Sequence, residues 1–173
     1  MIVTLMGYMG SGKSTIGKNL ATVLGYNFLD LDEYISEREN SSIPDLFKSK
    51  GEIYFRKKET YYLNEILSSS DDIVLALGGG TPCYGNNLNI LLNSSKVNLF
   101  YLKLSIPQLI ERLFIEKDSR PLISHLNTRE ELTEFIGKHL FERTQYYNQA
   151  PYSISSDHKS EKDIVEEILM VLI

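Results

Sequence analysis

The sequence predicts an α/β fold in which a parallel sheet is joined by helical crossovers, and three observations predict it. Apolar runs bounded by turn residues alternate with longer stretches of helical periodicity along the chain. Parallel neighbours need connections of about a dozen residues or more, which is the spacing seen. The first three apolar runs also end in glycines or carboxylates, the residues suited to the ligand-binding edge of an open α/β sheet.

In order, Ile2 to Met6 is a continuous apolar run that reads as a strand, Lys13 to Leu24 is an amphipathic helix, and Tyr26 to Leu31 is a second strand. Helices follow at Glu33 to Arg38, Ile43 to Ser49 and Glu52 to Leu67, with Asp32 and Glu33 favourably placed at the first helix's positive end. Ser68 to Asp72 reads as a helix-to-strand turn before the strand Ile73 to Leu77. Leu88 to Leu92 is a short helix, Val97 to Leu104 a strand and Ile106 to Glu116 a helix. The chain closes with a helix from Arg129 to Tyr147, a strand at Tyr152 to Ser155 and a helix from Glu161 to Leu172. Lys117 to Thr128 breaks the rhythm, being polar, carrying Pro121 and lying between two strong helical stretches; it is the candidate mobile lid. With no internal repeat, low-complexity tract or linker, residues 1–173 are expected to form one domain.

Bulk properties exclude some classes. A net charge of -5 and a pI near 5.3 argue against a nucleic-acid or membrane-surface partner, each of which needs a basic face. No stretch is apolar enough to span a bilayer, and Met1 leads directly into the first strand without a charged leader. The single cysteine, Cys83, has no internal disulfide partner, so a cytoplasmic setting is expected.

The segment Gly7-Tyr8-Met9-Gly10-Ser11-Gly12-Lys13-Ser14-Thr15 satisfies the P-loop pattern between a strand and a helix, the context the mechanism requires. Glycines let the backbone curl so that successive N–H groups face phosphate, and the following helix adds its positive dipole end. Lys13 would reach the terminal phosphates, and Ser14 is placed to ligate Mg²⁺. By chance alone the pattern arises in about one chain per hundred of this length, and its context lowers that further.

A P-loop alone does not distinguish a kinase from a switch or motor. At the end of the second strand stand Asp30 and Asp32. Near the strand edge Asp30 can face the metal while Asp32, past the strand end, turns toward an acceptor, or Asp32 is simply a helix cap. Arg56 shares a helical face with Glu52 and Glu59, where an isolated arginine is usually a solvated charge. Gly78, Gly79 and Gly80 follow the third strand and leave backbone N–H groups open to a close-approaching ligand.

Together with Arg120-Pro121-Leu122 and Arg143 ahead of Tyr147 and Ala150, these landmarks resemble the shikimate kinase family in order and spacing over most of the chain. The resemblance implies a three-layer α/β/α P-loop kinase fold with a five-stranded parallel sheet, an acceptor region over about residues 32–60 and a closing lid over about 117–128. It implies transfer of the γ-phosphoryl of ATP to the 3-hydroxyl of shikimate with Mg²⁺, in aromatic amino-acid (chorismate) biosynthesis, by a monomer.

Residue by residue, Gly10, Ser11, Gly12, Lys13, Ser14 and Thr15 look like the ATP phosphate loop, with Ser14 and Asp30 holding the metal. Asp32 looks like the group that binds the acceptor hydroxyls and takes the proton from the attacking one. Arg56 and Arg143 resemble the pair that clamps the carboxylate, Gly79 within Gly78 to Gly80 the glycine against the ring, and Arg120 the lid arginine on the transferring phosphate. Forked guanidiniums suit a planar carboxylate better than lysines would. The third strand ends in Gly78 where a Walker B carboxylate is usual, which leaves Asp30 as the metal partner, and Ser155 to Lys159 offers no clear adenine contact.

Other residues read as bland. Cys83 suits a small buried hydrophobe, and His125, His139 and His158 lack metal-ligand spacing and read as surface residues. Tyr61-Tyr62 and Tyr146-Tyr147 are expected to pack helices on the sheet, and Lys57-Lys58 to form a solvated face. Rival readings are a kinase for a sugar acid or nucleoside monophosphate, a guanine switch and a silent nucleotide-binding module. The switch would need an Asn-Lys-x-Asp segment, which the chain lacks.

Overall fold

In the computed structural model, which describes all 173 residues, five strands form one parallel sheet. The strands are β1 (Ile2–Met6), β2 (Asn27–Asp30), β3 (Ile73–Ala76), β4 (Val97–Lys103) and β5 (Tyr152–Ser155). The helices are α1 (Lys13–Leu24), α2 (Leu31–Glu39), α3 (Ile43–Leu67), α4 (Asn87–Asn93), α5 (Ile106–Glu116), α6 (Arg129–Tyr147) and α7 (Glu161–Leu172). Strand order is β2-β3-β1-β4-β5, with Ile2 of β1 level with Ile73 of β3 and with Val97 of β4. Central β1 is therefore flanked by β3 and β4, and the chain reverses direction across the sheet beside the glycine-rich loop. That is the switch point at which open α/β sheets bind ligands.

Strand side chains alternate between faces, and β1 builds two cores accordingly. Val3 and Leu5 join Ile16 and Leu20 of α1 and Ile164 and Ile168 of α7. Ile2 and Met6 join Leu63 of α3, Leu91 of α4, Leu113 of α5 and Ile136 of α6. Two helical layers thus cover a sheet buried on both faces. α1 packs closely because Gly17 has no side chain: a Cβ there would lie 2.5 Å from Phe28 Cε2. Glycine inside a helix costs about 1 kcal/mol relative to alanine, a cost offset by this close packing. No helix is long and apolar enough to cross a membrane.

Several expectations change. The second strand stops at Asp30 and Leu31 already belongs to α2, because the Asp30 carboxylate accepts hydrogen bonds from Asp32 N at 3.0 Å and Glu33 N at 3.4 Å. Asp30, not Asp32, is therefore the helix cap. The two helices expected at Ile43 to Ser49 and Glu52 to Leu67 run on as arms of α3, meeting at Gly51 with φ 83° and ψ 169°. Only glycine takes such a value readily. Tyr62 is buried but Tyr61 is 59% exposed and packs on nothing in the sheet. Lys58 is not a free solvated charge: it lies 3.2 Å from Glu39 Oε1, and the hydroxyls of Tyr54 and Tyr62 also donate to that carboxylate. Those hydroxyl bonds, with Lys58, hold Glu39 down at about 2. His139 is half-buried against Tyr8 and Phe135 instead of lying on the surface, whereas His125 and His158 are exposed.

Candidate active site

The loop between β1 and α1 owes its curl to Gly10 and Gly12, at φ 77° and 94°. Gly10 must also stay small, since a Cβ would meet Leu113 Cδ2 at 2.8 Å. α1 begins with no acidic residue in its first turn, so its positive end faces the cleft unopposed. Lys13 Nζ donates to the carbonyls of Gly7 at 2.9 Å and Tyr8 at 3.0 Å. Partial burial at the cleft floor lowers its pKa to about 8 against the pull of Asp32 and Asp30. Ser14 Oγ donates to Asp30 Oδ2 at 2.7 Å, while Ser11 is buried under the loop and Thr15 is exposed at the cleft rim.

The cleft over this loop encloses about 530 Å³, and Asp30, Asp32, Gly78, Gly79, Arg112, Glu116 and Arg120 line it with the loop. Arg112 Nη1 donates to Gly10 O at 3.2 Å. Arg120 stands one turn beyond α5, and its Nη2 and Nε donate to Glu116 Oε2 at 2.6 and 3.1 Å. The lid candidate carrying Arg120 begins with a 3-10 turn at Lys117–Ser119 and is anchored midway by fully buried Ile123.

Asp32 rises from the first turn of α2 toward the end of β3. A Cβ on Gly78 would lie 2.9 Å from Asp32 Oδ1, so the place where a β3 carboxylate would project is filled by Asp32. Burial first, then the nearby Asp30 and Glu59 charges, raise its pKa to about 6 against the opposing pull of Lys13 and Arg56. It remains mostly ionised at neutral pH yet is poised to take a proton.

Beyond Asp32 lies the second half of the site. Arg56 from α3 and Arg143 from α6 converge on the glycine turn: a Cβ on Gly80 would be 2.9 Å from Arg56 Nη2 and 3.3 Å from Arg143 Nη2. One on Gly79 would be 3.3 Å from Arg143 Nη1. Gly79 and Gly80 thus leave room for the two guanidiniums and Gly78 for Asp32, while the N–H groups of all three donate to no backbone carbonyl, as the sequence suggests. Arg56 is no solvated charge either. Its Nη1 donates to buried Glu59 at 2.9 Å, Glu59 in turn accepts from the Thr81 hydroxyl at 2.7 Å, and the Tyr84 ring stacks 3.8 Å from its Cζ. Arg143 has no acidic partner, and Tyr147 one turn on fixes α6 by donating to Gly79 O at 2.5 Å.

Two like charges side by side on one turn are costly without an anion between them. With phosphate-binding groups on one side of Asp32 and a guanidinium pair on the other, the cleft suits a phosphoryl donor facing a hydroxylated acid. All the residues singled out in the sequence fall in these two halves, Ser11 beneath the loop and Thr15 at its rim. Sequence reasoning passed over Thr81, Glu116 and Tyr147 as site residues and left Arg112 unassigned. Arg112 and Glu116 share one face of α5 at four-residue spacing, and Arg120 follows just past the 3-10 turn that ends it. Cys83 stays half-buried beside the glycine turn, and burial pushes its thiol up to about 11, so it is unreactive.

A family model described as shikimate kinase matches residues 9–173. The shikimate kinase of Flavobacterium johnsoniae is 46% identical over 98% of each chain. That of Parabacteroides distasonis is 36% identical over 96% of this chain and 94% of its own. Among solved structures, a shikimate kinase from Bacteroides thetaiotaomicron superposes with a TM-score of 0.90 at 32% identity, covering 99% of this chain and 98% of that one. A shikimate kinase from Acinetobacter baumannii in complex with shikimate gives 0.84 at 32%, covering 99% and 92%. A gluconokinase from Sinorhizobium meliloti shares the fold alone, at 19% identity and a TM-score of 0.59.

Proposed function

The chain belongs to the shikimate kinase family, and from that premise we propose that its two half-sites carry out phosphoryl transfer from ATP to shikimate in named roles. The observation that carries the proposal is the pair of guanidiniums, Arg56 and Arg143, meeting at Gly80 across Asp32 from the phosphate loop. They suit the planar carboxylate of shikimate, which would leave its ring over Gly79 and a hydroxyl toward Asp32.

On the donor side the loop N–H groups, the α1 terminus and Lys13 bind the phosphates of ATP, the co-substrate the family uses. Ser14 Oγ and Asp30 Oδ2, 2.7 Å apart on the cleft floor, are oxygen donors of the kind Mg²⁺ takes alongside nucleotide phosphates and water. The absence of a cluster of three acidic, histidine or cysteine groups fits a metal held largely by its nucleotide. Ser14 Oγ and the Asp30 carboxylate would hold Mg²⁺, which would supply positive charge to offset that of the nucleotide phosphates.

In a loose transition state the protein mainly aligns donor and acceptor and neutralises the equatorial oxygens. Lys13 and Arg120 do this, and Arg120 must leave Glu116 to reach the transferring group. Asp32 accepts the proton of the attacking hydroxyl as the new O–P bond forms and the bond to ADP breaks. ADP release with Mg-ATP against shikimate, gluconate and nucleoside monophosphates tests the reading. Turnover confined to shikimate, abolished in a folded Lys13→Met variant, is expected. Turnover on another acceptor, or an active Lys13→Met variant, would overturn it.

A further inference from the structure

Tyr8 is a residue of the phosphate loop, yet it is only 2% exposed, belongs to the core and does not line the cleft. Its hydroxyl lies 2.8 Å from His139 Nδ1 of α6, and the two rings meet edge to face with centroids 5.4 Å apart. Phe135 closes the other side of the imidazole at 5.3 Å. Burial and the Arg143 charge hold the imidazole down at about 4, so it is neutral across the working range. With its proton on Nε2, His139 accepts from the Tyr8 hydroxyl.

This contact sits at a junction. The Tyr8 carbonyl accepts from Lys13 Nζ at 3.0 Å and from Ser11 N at 3.2 Å. His139, Arg143 and Tyr147 recur every fourth residue and so share one face of α6. The first bonds Tyr8, the second borders Gly79 and Gly80, and the third donates to Gly79 O. A single helix face therefore ties both halves of the site together, and Tyr8 is where it grips the nucleotide half. Core packing of Leu132, Ile136 and Leu140 seats α6, and Tyr147 pins it to the acceptor turn; the Tyr8–His139 bond is its direct polar link to the phosphate loop.

We propose that the Tyr8 hydroxyl and His139 are positioning residues, a tether that sets Arg143 relative to the phosphate loop and so governs the affinity for the acceptor's carboxylate. The proposal rests on the functional reading above. Tyr8→Phe keeps the ring and removes only the hydroxyl. His139→Leu removes the acceptor, and His139→Asn keeps a hydrogen-bonding atom at the Nδ1 position.

With wild type as the baseline, Tyr8→Phe and His139→Leu should each raise the KM for shikimate about 2- to 10-fold, the range one intramolecular hydrogen bond carries. The KM for ATP and kcat should change less than twofold, His139→Asn should recover most of the loss, and the double variant should be no worse than either single one. Amide exchange across residues 139–147 should quicken in Tyr8→Phe. An unchanged shikimate KM, equal effects on both substrates, additive losses, or a lower melting temperature with unaltered kinetics would each overturn the tether. The exchange arm needs no turnover. A wild type inactive on shikimate would sink the functional reading, while unaltered exchange would sink the tether separately.

Discussion

Gly80→Ala is the sharpest perturbation of the acceptor half, because the structure separates its effect on binding from any effect on the backbone. Gly80 has φ -89° and ψ -13°, values that alanine adopts without strain. The added methyl instead meets Arg56 Nη2 at 2.9 Å, Arg56 Nη1 at 3.1 Å and Arg143 Nη2 at 3.3 Å. These are side-chain ends and not backbone, so the methyl is accommodated by displacing the guanidiniums, Arg56 against its bond to Glu59 and Arg143 more freely. Losing one charge-assisted hydrogen bond costs about 1.5–3 kcal/mol, and about 1.4 kcal/mol is tenfold. The KM for shikimate should therefore rise about 10- to 100-fold with the KM for ATP unchanged. Steady-state kinetics with each substrate varied, beside a thermal melt, reads both effects. Gly25→Ala is the control, since Gly25 has φ 70° and open space around it. That variant should lose about 1 kcal/mol of stability and no affinity. A Gly80→Ala enzyme with normal shikimate KM would refute the assignment of Arg56 and Arg143 to the acceptor carboxylate.

The ionisation of the site gives two further expectations and the lid a third. With Asp32 at about 6 and Lys13 at about 8, kcat/KM should follow a bell with limbs near those values, and Asp32→Asn should lose the acid limb. An acid limb kept in that variant would reassign it. Because Asp32 sits above its usual 3.8, the folded protein holds that proton more tightly than the unfolded chain, and stability falls as pH rises from 3.8 through about 6. Asp32→Asn escapes this penalty and should be about 1–3 kcal/mol more stable at pH 7.5 but not at pH 3.5; equal melting temperatures at both would contradict the burial argument. Amide exchange across residues 117–128 should slow when nucleotide and shikimate are both present, and unaltered exchange would remove the closing-lid assignment.

Much of the architecture was legible because it rests on local pattern. β1, α1, α5, α6, β5 and α7 fall at the expected residues, β1 from a mostly apolar run, β5 from an alternating Tyr-Ser-Ile-Ser and the helices from apolar stripes bounded by turns. The β2–α2 junction was misread because Asp30 and Asp32 are equally good caps by composition, and only their backbone geometry decides between them. In the site, motif residues carry their own signal, but their supports do not. The Tyr8–His139 bond joins residues 131 positions apart, so neither residue's neighbourhood announces it. The glycine turn was legible for its open N–H groups but not for the side chains that crowd it, since Asp32, Arg56 and Arg143 arrive from α2, α3 and α6, far away in sequence.

How a chain of net charge -5 recruits two anions follows from how its cleft cations are paired. Arg56 and Arg120 are held by glutamates, Glu59 and Glu116, from their own helical stretch. Lys13 and Arg112 donate to loop carbonyls, and Arg143 has no acidic partner. A carbonyl neutralises no charge, so three of these five cations face the site without a salt-bridged carboxylate, two at the phosphate loop and one at the acceptor turn. The glutamate-paired arginines differ in what they must do. Glu59 is buried and bonded to Thr81, so Arg56 is fixed before the acceptor arrives. Glu116 is half exposed, where an ion pair contributes about 0–1 kcal/mol, little enough for a phosphate to displace it. The acceptor half is thus held by buried bonds while Arg120 rests on a displaceable pair, the difference that the proposed closure over residues 117–128 would need.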